Sequence, residues 1–327
     1  MVRTPAQEAG HTPAEEEKSG NAHTVVTIAS GVLATSCLVI SNRKLLDALG
    51  EGAVPASTLT CVHHVVALIY FSRQENSSES MVTVPHYFFL IIAVISTSSL
   101  VLSNLLLQRG SVSIHQLTRI IAMPVGAVVD RILLGKKQRT VECLLLLGMF
   151  VCATITMNDL GTCTWSVGIL ACAFLTTYLA NAVVTRHVAV TRGLTSTTIL
   201  TSILPYSAAM SILALVFAVI IDPFARFPIP SSFTYLMLVA NCCLAVAVQY
   251  LTTWTMKHTS LQTYAVTGQL KTALTVIFAV LVFHEKLTVV TFISFVTTIL
   301  FGCLLIWTEI SNTRDKSIVR DCCDSRE

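Results

Sequence analysis

Long apolar runs recur along the whole chain and restrict its fold more than any other feature. A helix that crosses the hydrocarbon core of a bilayer needs about 20 predominantly apolar residues. The connections between the runs are short, which leaves no room for a soluble domain. The sequence therefore predicts an all-α membrane protein with ten transmembrane helices, at about residues 24–42, 53–71, 86–107, 112–134, 141–157, 165–185, 197–221, 232–254, 260–283 and 287–307.

The composition agrees with a protein whose surroundings are a lipid bilayer. Of the 327 residues, 54% are hydrophobic and only 12% are charged, whereas about a quarter of the residues in a soluble domain are charged. The net charge of +3 is too small to indicate a nucleic-acid partner. The eleven cysteines are scattered without a CxxC motif, so neither a metal site, a cofactor nor a disulfide framework is expected.

The distribution of charge predicts the domain organisation and the orientation of the chain. Residues 1–23 are polar and lack the order of a signal or transit peptide, which predicts a disordered cytoplasmic tail. Residues 24–310 form the ten-helix domain, and residues 311–327 form a cytoplasmic C-terminal tail. Most Lys and Arg residues outside the spans then lie on the cytoplasmic side, as the positive-inside rule requires. The Cys322–Cys323 pair is interpreted as free thiols, with lipidation as the alternative.

Two segments about half the chain apart share a pattern that indicates an internal repeat. Residues 111–140 and 260–288 each begin with Ser, carry one basic residue inside a span, and end in a basic turn followed by Thr. Because five helices separate them, the two halves, about 24–157 and 165–307, must be inverted in the membrane. Inverted five-helix repeats with a binding site near the midplane are typical of transporters. Chance resemblance between apolar stretches is the alternative.

A lysine near the middle of the ninth span is the first candidate for a binding residue. A cation at this depth costs a few kcal/mol, so Lys271 is expected to face a cavity or a partner. Helical spacing places Tyr264, Thr267 and Thr275 on its face and Thr263 and Gly268 beside it, and these residues are predicted to shape the same site.

Arg119 is the matching cation in the fourth span, with Gln116 on its face and His115 beside it. The repeat alignment places Arg119 one turn from the position of Lys271. No predicted span carries a carboxylate near its centre, so the two cations are predicted to bind an anionic substrate. Arginine suits phosphate through its bidentate geometry, and lysine acts as a point charge. The alternative is that backbone carbonyls and hydroxyls hold both cations as structural elements.

Further polar residues within the spans have two interpretations. Asn42 and Tyr178 are candidates for substrate contact, and the rings of Tyr178 and Tyr264 are suited to stacking on a nucleobase. Interhelical hydrogen bonding and core packing explain such residues equally well.

The two repeat segments, with "SNRKLL" near Ser41, resemble the family of triose-phosphate translocators and nucleotide-sugar transporters (solute carrier family 35-like, within the drug/metabolite transporter superfamily). The resemblance implies ten helices in two inverted halves and exchange of a nucleotide sugar for a nucleoside monophosphate across the Golgi membrane, with the endoplasmic reticulum or a plastid-like organelle as alternative locations. Arg119 replaces the family's usual lysine. Lys271–Thr272 resembles its lysine–threonine group, and the lack of Asn before Lys271 favours a UDP-sugar over GDP-mannose.

The sequence also bears on three functions other than nucleotide-sugar exchange. An organellar sugar-phosphate/phosphate translocator would resemble the plastid members, which carry a second basic residue where this chain has Thr272. A membrane enzyme is not expected, because no His/Asp pair or paired membrane aspartates are found. A non-transporting scaffold or receptor remains the alternative of another class, although the short loops offer little surface. The small residues in the spans leave a homodimer open.

Overall fold

The computed structural model describes residues 13–50, 52–73, 85–134, 139–159, 164–192, 196–222, 231–258, 261–285 and 288–324. Within these ranges all regular secondary structure is α-helical. The helices are α1 (Pro13–Leu49), α2 (Ala53–Ser72), α3 (His86–Arg109), α4 (Val112–Leu134), α5 (Thr140–Asp159), α6 (Trp165–Arg192), α7 (Ser196–Ile221), α8 (Ser232–His258), α9 (Leu261–Phe283) and α10 (Val289–Asp324).

The ten helices match the ten predicted segments in order. The lengths of the apolar runs explain this agreement, because each run is long enough to satisfy its own backbone as a helix within a bilayer. Helical conformation extends past the predicted spans at both ends, since α1 begins at Pro13 and α10 continues to Asp324. The sequon at residues 76–78 lies outside the described residues.

Within the described ranges, six helices are long and apolar enough to cross a membrane. Shorter apolar helical segments lie in α5, α9 and α10. Large apolar side chains such as Leu213, Phe217 and Ile220 are exposed on the outer surface of the bundle, as expected of a surface that faces lipid. The chain is therefore a multi-pass, all-α membrane protein.

Each of the first five helices packs against one or more of the last five. α1 contacts α8 and α9, α2 contacts α7, and α3 contacts α6 and α7. α4 packs against α9 as well as against α5 and α6, and α5 packs against α10. The two halves of the chain thus form one helical bundle rather than two separate domains.

An apolar layer closes one end of this bundle, and we call it the sealed layer. It contains the buried side chains of Val39, Ile40, Leu45, Leu46, Ala56, Leu59, Leu107, Val112 and Ala279. These residues come from the C-terminal parts of α1, α3 and α9 and the N-terminal parts of α2 and α4, which chain order places at the same end of the bundle. Leu45, Leu46 and Leu59 are 0% exposed, so this end is closely packed.

Polar contacts satisfy the helix ends around the sealed layer. The Arg43 guanidinium donates to the carbonyl oxygens of Leu107, Gln108 and Gly110 at the end of α3 and pairs with Asp47 at 3.1 Å. These carbonyls have no partner within their own helix, so the guanidinium supplies one.

The Glu285 carboxylate has the same role at the start of α4. It accepts hydrogen bonds from the Val112 amide at 2.8 Å, the Ser113 amide at 3.3 Å and the Ser113 hydroxyl at 2.5 Å. A carboxylate at a helix N-terminus satisfies unpaired amides and interacts favourably with the helix dipole. Because Glu285 follows α9, this contact ties the second half of the chain to the first.

Candidate functional site

A cavity of about 360 Å³ lies among five helices from both halves of the chain, α1, α4, α6, α8 and α9. Its walls contain two cations, several hydroxyl and amide groups and one aromatic ring. The lining residues are Thr35, Gln116, Arg119, Ile120, Tyr178, Val248, Thr252, Gly268, Gln269, Lys271, Thr272 and Thr275. Six of the predicted site residues are therefore found together: Gln116, Arg119, Tyr178, Gly268, Lys271 and Thr272.

Helical periodicity explains why these residues share one cavity. Gln116 and Arg119 are three residues apart on α4 and present one face, and Gly268, Lys271 and Thr275 repeat at three and four residues on α9. α4 packs against α9, which brings the two faces together. Gly268 has no atom within 4 Å of the position that a Cβ would take, so the absence of a side chain leaves this part of the wall open.

The Arg119 guanidinium lies against an aromatic ring at the cavity wall. Its Cζ atom is 5.7 Å from the ring centroid of Tyr178, within the range of a cation–π interaction. Among the residues that the structure describes, no carboxylate lies within ion-pair distance of Arg119. The aromatic face thus provides the guanidinium with a neighbour that does not neutralise its charge.

Lys271 lies on the α9 side of the same cavity, and its charge and that of Arg119 repel each other. The other lining residues within the described part of the chain are uncharged, so both charged groups of this described lining are positive. A cavity with two cations and low-dielectric walls concentrates anions. Its chemistry is therefore suited to a ligand that carries at least two negative charges.

A buried hydroxyl fixes the helical turn that carries Lys271. The Ser36 hydroxyl, on α1, lies 3.2 Å from the backbone carbonyl oxygen of Lys271 and 3.0 Å from that of Val32 in its own helix, and the Thr275 hydroxyl lies 3.1 Å from Ser36 Oγ. Ser36 is 0% exposed. This contact joins α1 to α9 at the level of the cation. The sequence signal, a serine within an apolar run, was present but does not identify a partner helix.

His115 is buried behind the cavity rather than in its lining. Its Nε2 atom lies 2.8 Å from the Ser103 hydroxyl, and its ring stacks on Phe174 with centroids 5.5 Å apart. The Gln116 amide lies 3.5 Å from His115 Nδ1. His115 thus lies behind the cavity wall, in contact with the lining residue Gln116.

Asn42 also lies away from the cavity, in a polar cluster between α1, α2 and α8. The Asn241 amide donates to Asn42 Oδ1 at 2.8 Å and to the Ser41 hydroxyl at 3.0 Å. His63 Nε2 donates to Asn241 Oδ1 at 2.5 Å. This arrangement is the interhelical hydrogen bonding that the sequence left open as the other interpretation of Asn42.

Three predicted site residues of α9 are not among the described residues of the cavity lining. Thr267 is buried and lies outside the cavity lining. Thr263 and Tyr264 belong to α9, but their side chains lie outside the described part of the chain. Sequence reasoning did not identify Thr35, Thr252 and Gln269 as lining residues. Their polarity within apolar runs was a signal, but it does not reveal which helices surround the cavity.

Comparisons with known proteins give a fold but no family. No family model and no curated protein matches the chain. A solved structure described as "Crystal structure of protein" is similar to it, with a TM-score of 0.58 and 14% sequence identity over 87% of this chain and 97% of that chain. At this identity the similarity shows a shared fold alone. The function of the chain therefore has to be argued from its cavity.

Proposed function

We propose that the protein is an antiporter that exchanges a nucleotide sugar, with a UDP-sugar favoured, for a nucleoside monophosphate across the Golgi membrane. One observation carries the proposal: Arg119 and Lys271, from different halves of the chain, line one cavity in which every other lining residue that the structure describes is uncharged. Hydrogen bonds from cationic groups to phosphate are roughly twice as strong as neutral ones. A diphosphate held between the two cations would place negative charge beside both of them.

The packing of the helices supports a bundle of two inverted halves. If α1–α5 and α6–α10 are repeats, each contact between the halves should have a counterpart. The contact of α1 with α8 corresponds to that of α6 with α3, and the contact of α1 with α9 corresponds to that of α6 with α4. α2 packs on α7, α4 on α9 and α5 on α10, which pairs each helix with its own counterpart. This reciprocity is expected around a pseudo-two-fold axis.

Alternating access would use the sealed layer as one gate. The layer separates the cavity from the end of the bundle where α3 ends and α4 begins. In the predicted orientation this end would face the Golgi lumen, so the layer would act as the lumenal gate. Opening would require the two halves to rock apart there, which separates Ala279 from Leu107 and Val112 and releases Glu285 from the start of α4.

The lining suggests how the parts of a nucleotide sugar are divided among the helices. Arg119 presents a planar donor group suited to two phosphate oxygens, and Lys271 adds a second charge. The hydroxyls of Thr35 and Thr252, which line the cavity and are only partly buried, are suited to the sugar and the base. The preference for UDP-sugars and the Golgi location come from the family resemblance of the two repeat segments.

Uptake into proteoliposomes tests the proposal. Vesicles preloaded with UMP should accumulate a labelled UDP-sugar, and a competition panel of UDP-, GDP- and CMP-sugars identifies the base. Lys271→Gln should abolish uptake while the purified protein keeps its melting temperature. Arg109→Gln, which removes an exposed cation at the end of α3, is the matched control and should transport normally. Normal uptake by Lys271→Gln would contradict the proposal.

The size and charge of the cavity also favour a second candidate, exchange of a phosphorylated sugar for phosphate. A volume of about 360 Å³ lies at the lower end of the range for small-molecule sites and suits a compact dianion. Triose phosphate and inorganic phosphate in the same panel distinguish the two exchangers. Binding of a nucleotide sugar without any uptake would instead support a receptor.

A further inference from the structure

Four side chains, two from α4 and two from α6, form a continuous stack that ends at the cavity. His115 stacks on Phe174 with centroids 5.5 Å apart, Phe174 lies 5.8 Å from Tyr178, and Arg119 lies over the Tyr178 ring at 5.7 Å. His115 and Arg119 are four residues apart, as are Phe174 and Tyr178, so each pair occupies one helix face on successive turns. The stack therefore joins α4 and α6 along their contact.

The end of the stack away from the cavity is fixed by burial and hydrogen bonding. His115 and Phe174 are each 2% exposed, and the Ser103 hydroxyl lies 2.8 Å from His115 Nε2. Tyr178 packs against the apolar cluster that contains Ile114, Val167 and Phe174. Its ring is consequently backed by buried side chains on one side and borders the cavity on the other.

The chemistry of the guanidinium explains why such a ring would be useful. An arginine side chain loses about 2 kcal/mol of rotamer entropy when it is fixed, so an arginine without support is a poor preformed site. Contact with a ring uses the face of the guanidinium and leaves the N–H groups at its edge available to oxygen ligands. A carboxylate partner would instead occupy those N–H groups and cancel the charge.

We infer that Tyr178 is a positioning residue, whose ring holds the Arg119 guanidinium at the cavity wall and so presents its edge to the phosphate groups of the ligand. This inference rests on the proposed function and deepens it, because it assigns Tyr178 to the phosphate end of the site. It replaces the interpretation in which the Tyr178 ring stacks on the nucleobase. The base then lies elsewhere in the cavity, away from the ring that Arg119 covers.

Two ligands separate these interpretations, because inorganic pyrophosphate has charge but no base whereas UMP has both. Calorimetric titration of the full-length purified protein measures the dissociation constant of each. Tyr178→Leu should weaken both ligands by the same factor, on the order of three- to thirtyfold for a lost cation–π contact. Tyr178→Phe keeps the ring and should bind both as the wild type does.

Matched variants keep the test specific. Tyr250→Leu removes an exposed tyrosine of α8 and should change neither constant. If thermal melting shows that Tyr178→Leu does not fold, Tyr178→Met, which also lacks a ring, takes its place. Loss of UMP affinity with unchanged pyrophosphate affinity would overturn the inference in favour of base stacking, and so would unchanged affinity for both ligands.

The pyrophosphate titration also separates failure of this inference from failure of the proposed function. A wild-type protein that binds pyrophosphate but no nucleotide would contradict nucleotide-sugar exchange, and Tyr178→Leu would still decide the role of the ring. The protein could transport a UDP-sugar and yet bind pyrophosphate equally well with Tyr or Leu at residue 178. This result would support the proposed function and contradict the inference about Tyr178. A wild-type protein that does not bind pyrophosphate would overturn the inference as well.

Discussion

The sealed layer and the cavity share three helices, α1, α4 and α9, yet one is apolar and packed whereas the other is polar and open. α1 contributes Leu45 and Leu46 to the layer and Thr35 to the cavity. α9 contributes Ala279 to the layer and Lys271 to the cavity, two turns away along the same helix. In the layer the side chains are closely packed, and the polar groups around it are tied to helix ends. In the cavity polar groups and two cations line open space.

This difference separates residues that hold the bundle together from residues that bind. Association of helices within lipid depends on close packing and interhelical hydrogen bonds, because lipid chains are as apolar as leucine. Changes in the layer should therefore reduce stability, with little direct effect on a ligand. Changes in the cavity should reduce ligand binding and leave stability unchanged or improved, since removal of one cation relieves the repulsion between two.

The largest expected effect is the loss of Arg119 from the cavity. Arg119→Gln removes a charged partner of a desolvated phosphate, which typically costs about 2–5 kcal/mol of binding. Uptake of a UDP-sugar at a fixed concentration should fall at least thirtyfold, while the melting temperature of the purified protein should not decrease. Arg119→Lys keeps the charge but loses the planar guanidinium, so its uptake should lie between that of the wild type and that of Arg119→Gln. A melting temperature that falls together with uptake would contradict the assignment of stability to the layer and of binding to the cavity.

A truncation in the sealed layer should have the opposite result. Leu46→Ala leaves a void at a side chain that is 0% exposed, and truncations of buried leucine cost about 2–5 kcal/mol in a soluble core. Thermal melting in detergent should show a clear destabilisation, with the affinity for pyrophosphate unchanged at low temperature. Leu33→Ala, a lipid-facing position that is 50% exposed on the same helix, should melt near the wild type. Equal melting of the two variants would contradict the close packing of the layer.

The Glu285 carboxylate, which caps α4, should contribute less to the stability of the fold than the sealed layer does. Glu285→Ala leaves the Val112 and Ser113 amides without their acceptor, and loss of a helix cap costs about 0.5–2 kcal/mol. The melting temperature should fall modestly, and Glu285→Gln should recover part of the loss because an acceptor oxygen remains. Asp222→Ala removes an exposed carboxylate at the end of α7 and is the control. If Asp222→Ala lowered the melting temperature as much as Glu285→Ala, the cause would be the loss of a negative charge rather than the loss of the helix cap.

The smallest expected effect belongs to the hydroxyl that ties α1 to α9. Ser36→Ala removes one interhelical hydrogen bond to the Lys271 carbonyl, and such bonds average about 0.6 kcal/mol in a membrane protein. Stability should change within the error of most melting experiments, whereas pyrophosphate should bind slightly more weakly because Lys271 is held less firmly. Thr154→Ala removes a hydroxyl that bonds only within its own helix and should leave binding unaltered. Stronger binding by Ser36→Ala would show that the contact restrains Lys271 away from the ligand.

The helices and the central cations were within reach of sequence reasoning for physical reasons. The length of an apolar run determines whether it can cross a bilayer, so α2, α3 and α4 begin and end close to their predicted limits. A cation in the middle of such a run must avoid lipid, which predicts that Lys271 and Arg119 face a cavity. The same reasoning placed Gly268 and Thr275 near Lys271, as the structure does, but it also placed Thr267 on that face, and Thr267 is buried outside the lining.

The hydrogen-bond partners of uncharged polar residues could not be predicted from the sequence. Asn42 and His115 satisfy their polar groups through Asn241 and Ser103, and a sequence does not distinguish this from ligand binding. Thr35 and Thr252 line the cavity because α1 and α8 lie beside α9, and hydrophobic periodicity does not specify which helices are neighbours. Side-chain partners of this kind depend on the tertiary arrangement of the bundle.

A cryo-EM structure of the protein loaded with UDP-sugar or UMP would show whether Arg119 and Lys271 bind the phosphate groups together. Phosphate oxygens are expected between α4 and α9, within hydrogen-bond distance, about 2.7–2.9 Å, of both the Arg119 guanidinium and the Lys271 ammonium. Phosphate groups bound outside this cavity, or bound with either cation turned away from them, would contradict joint binding by Arg119 and Lys271.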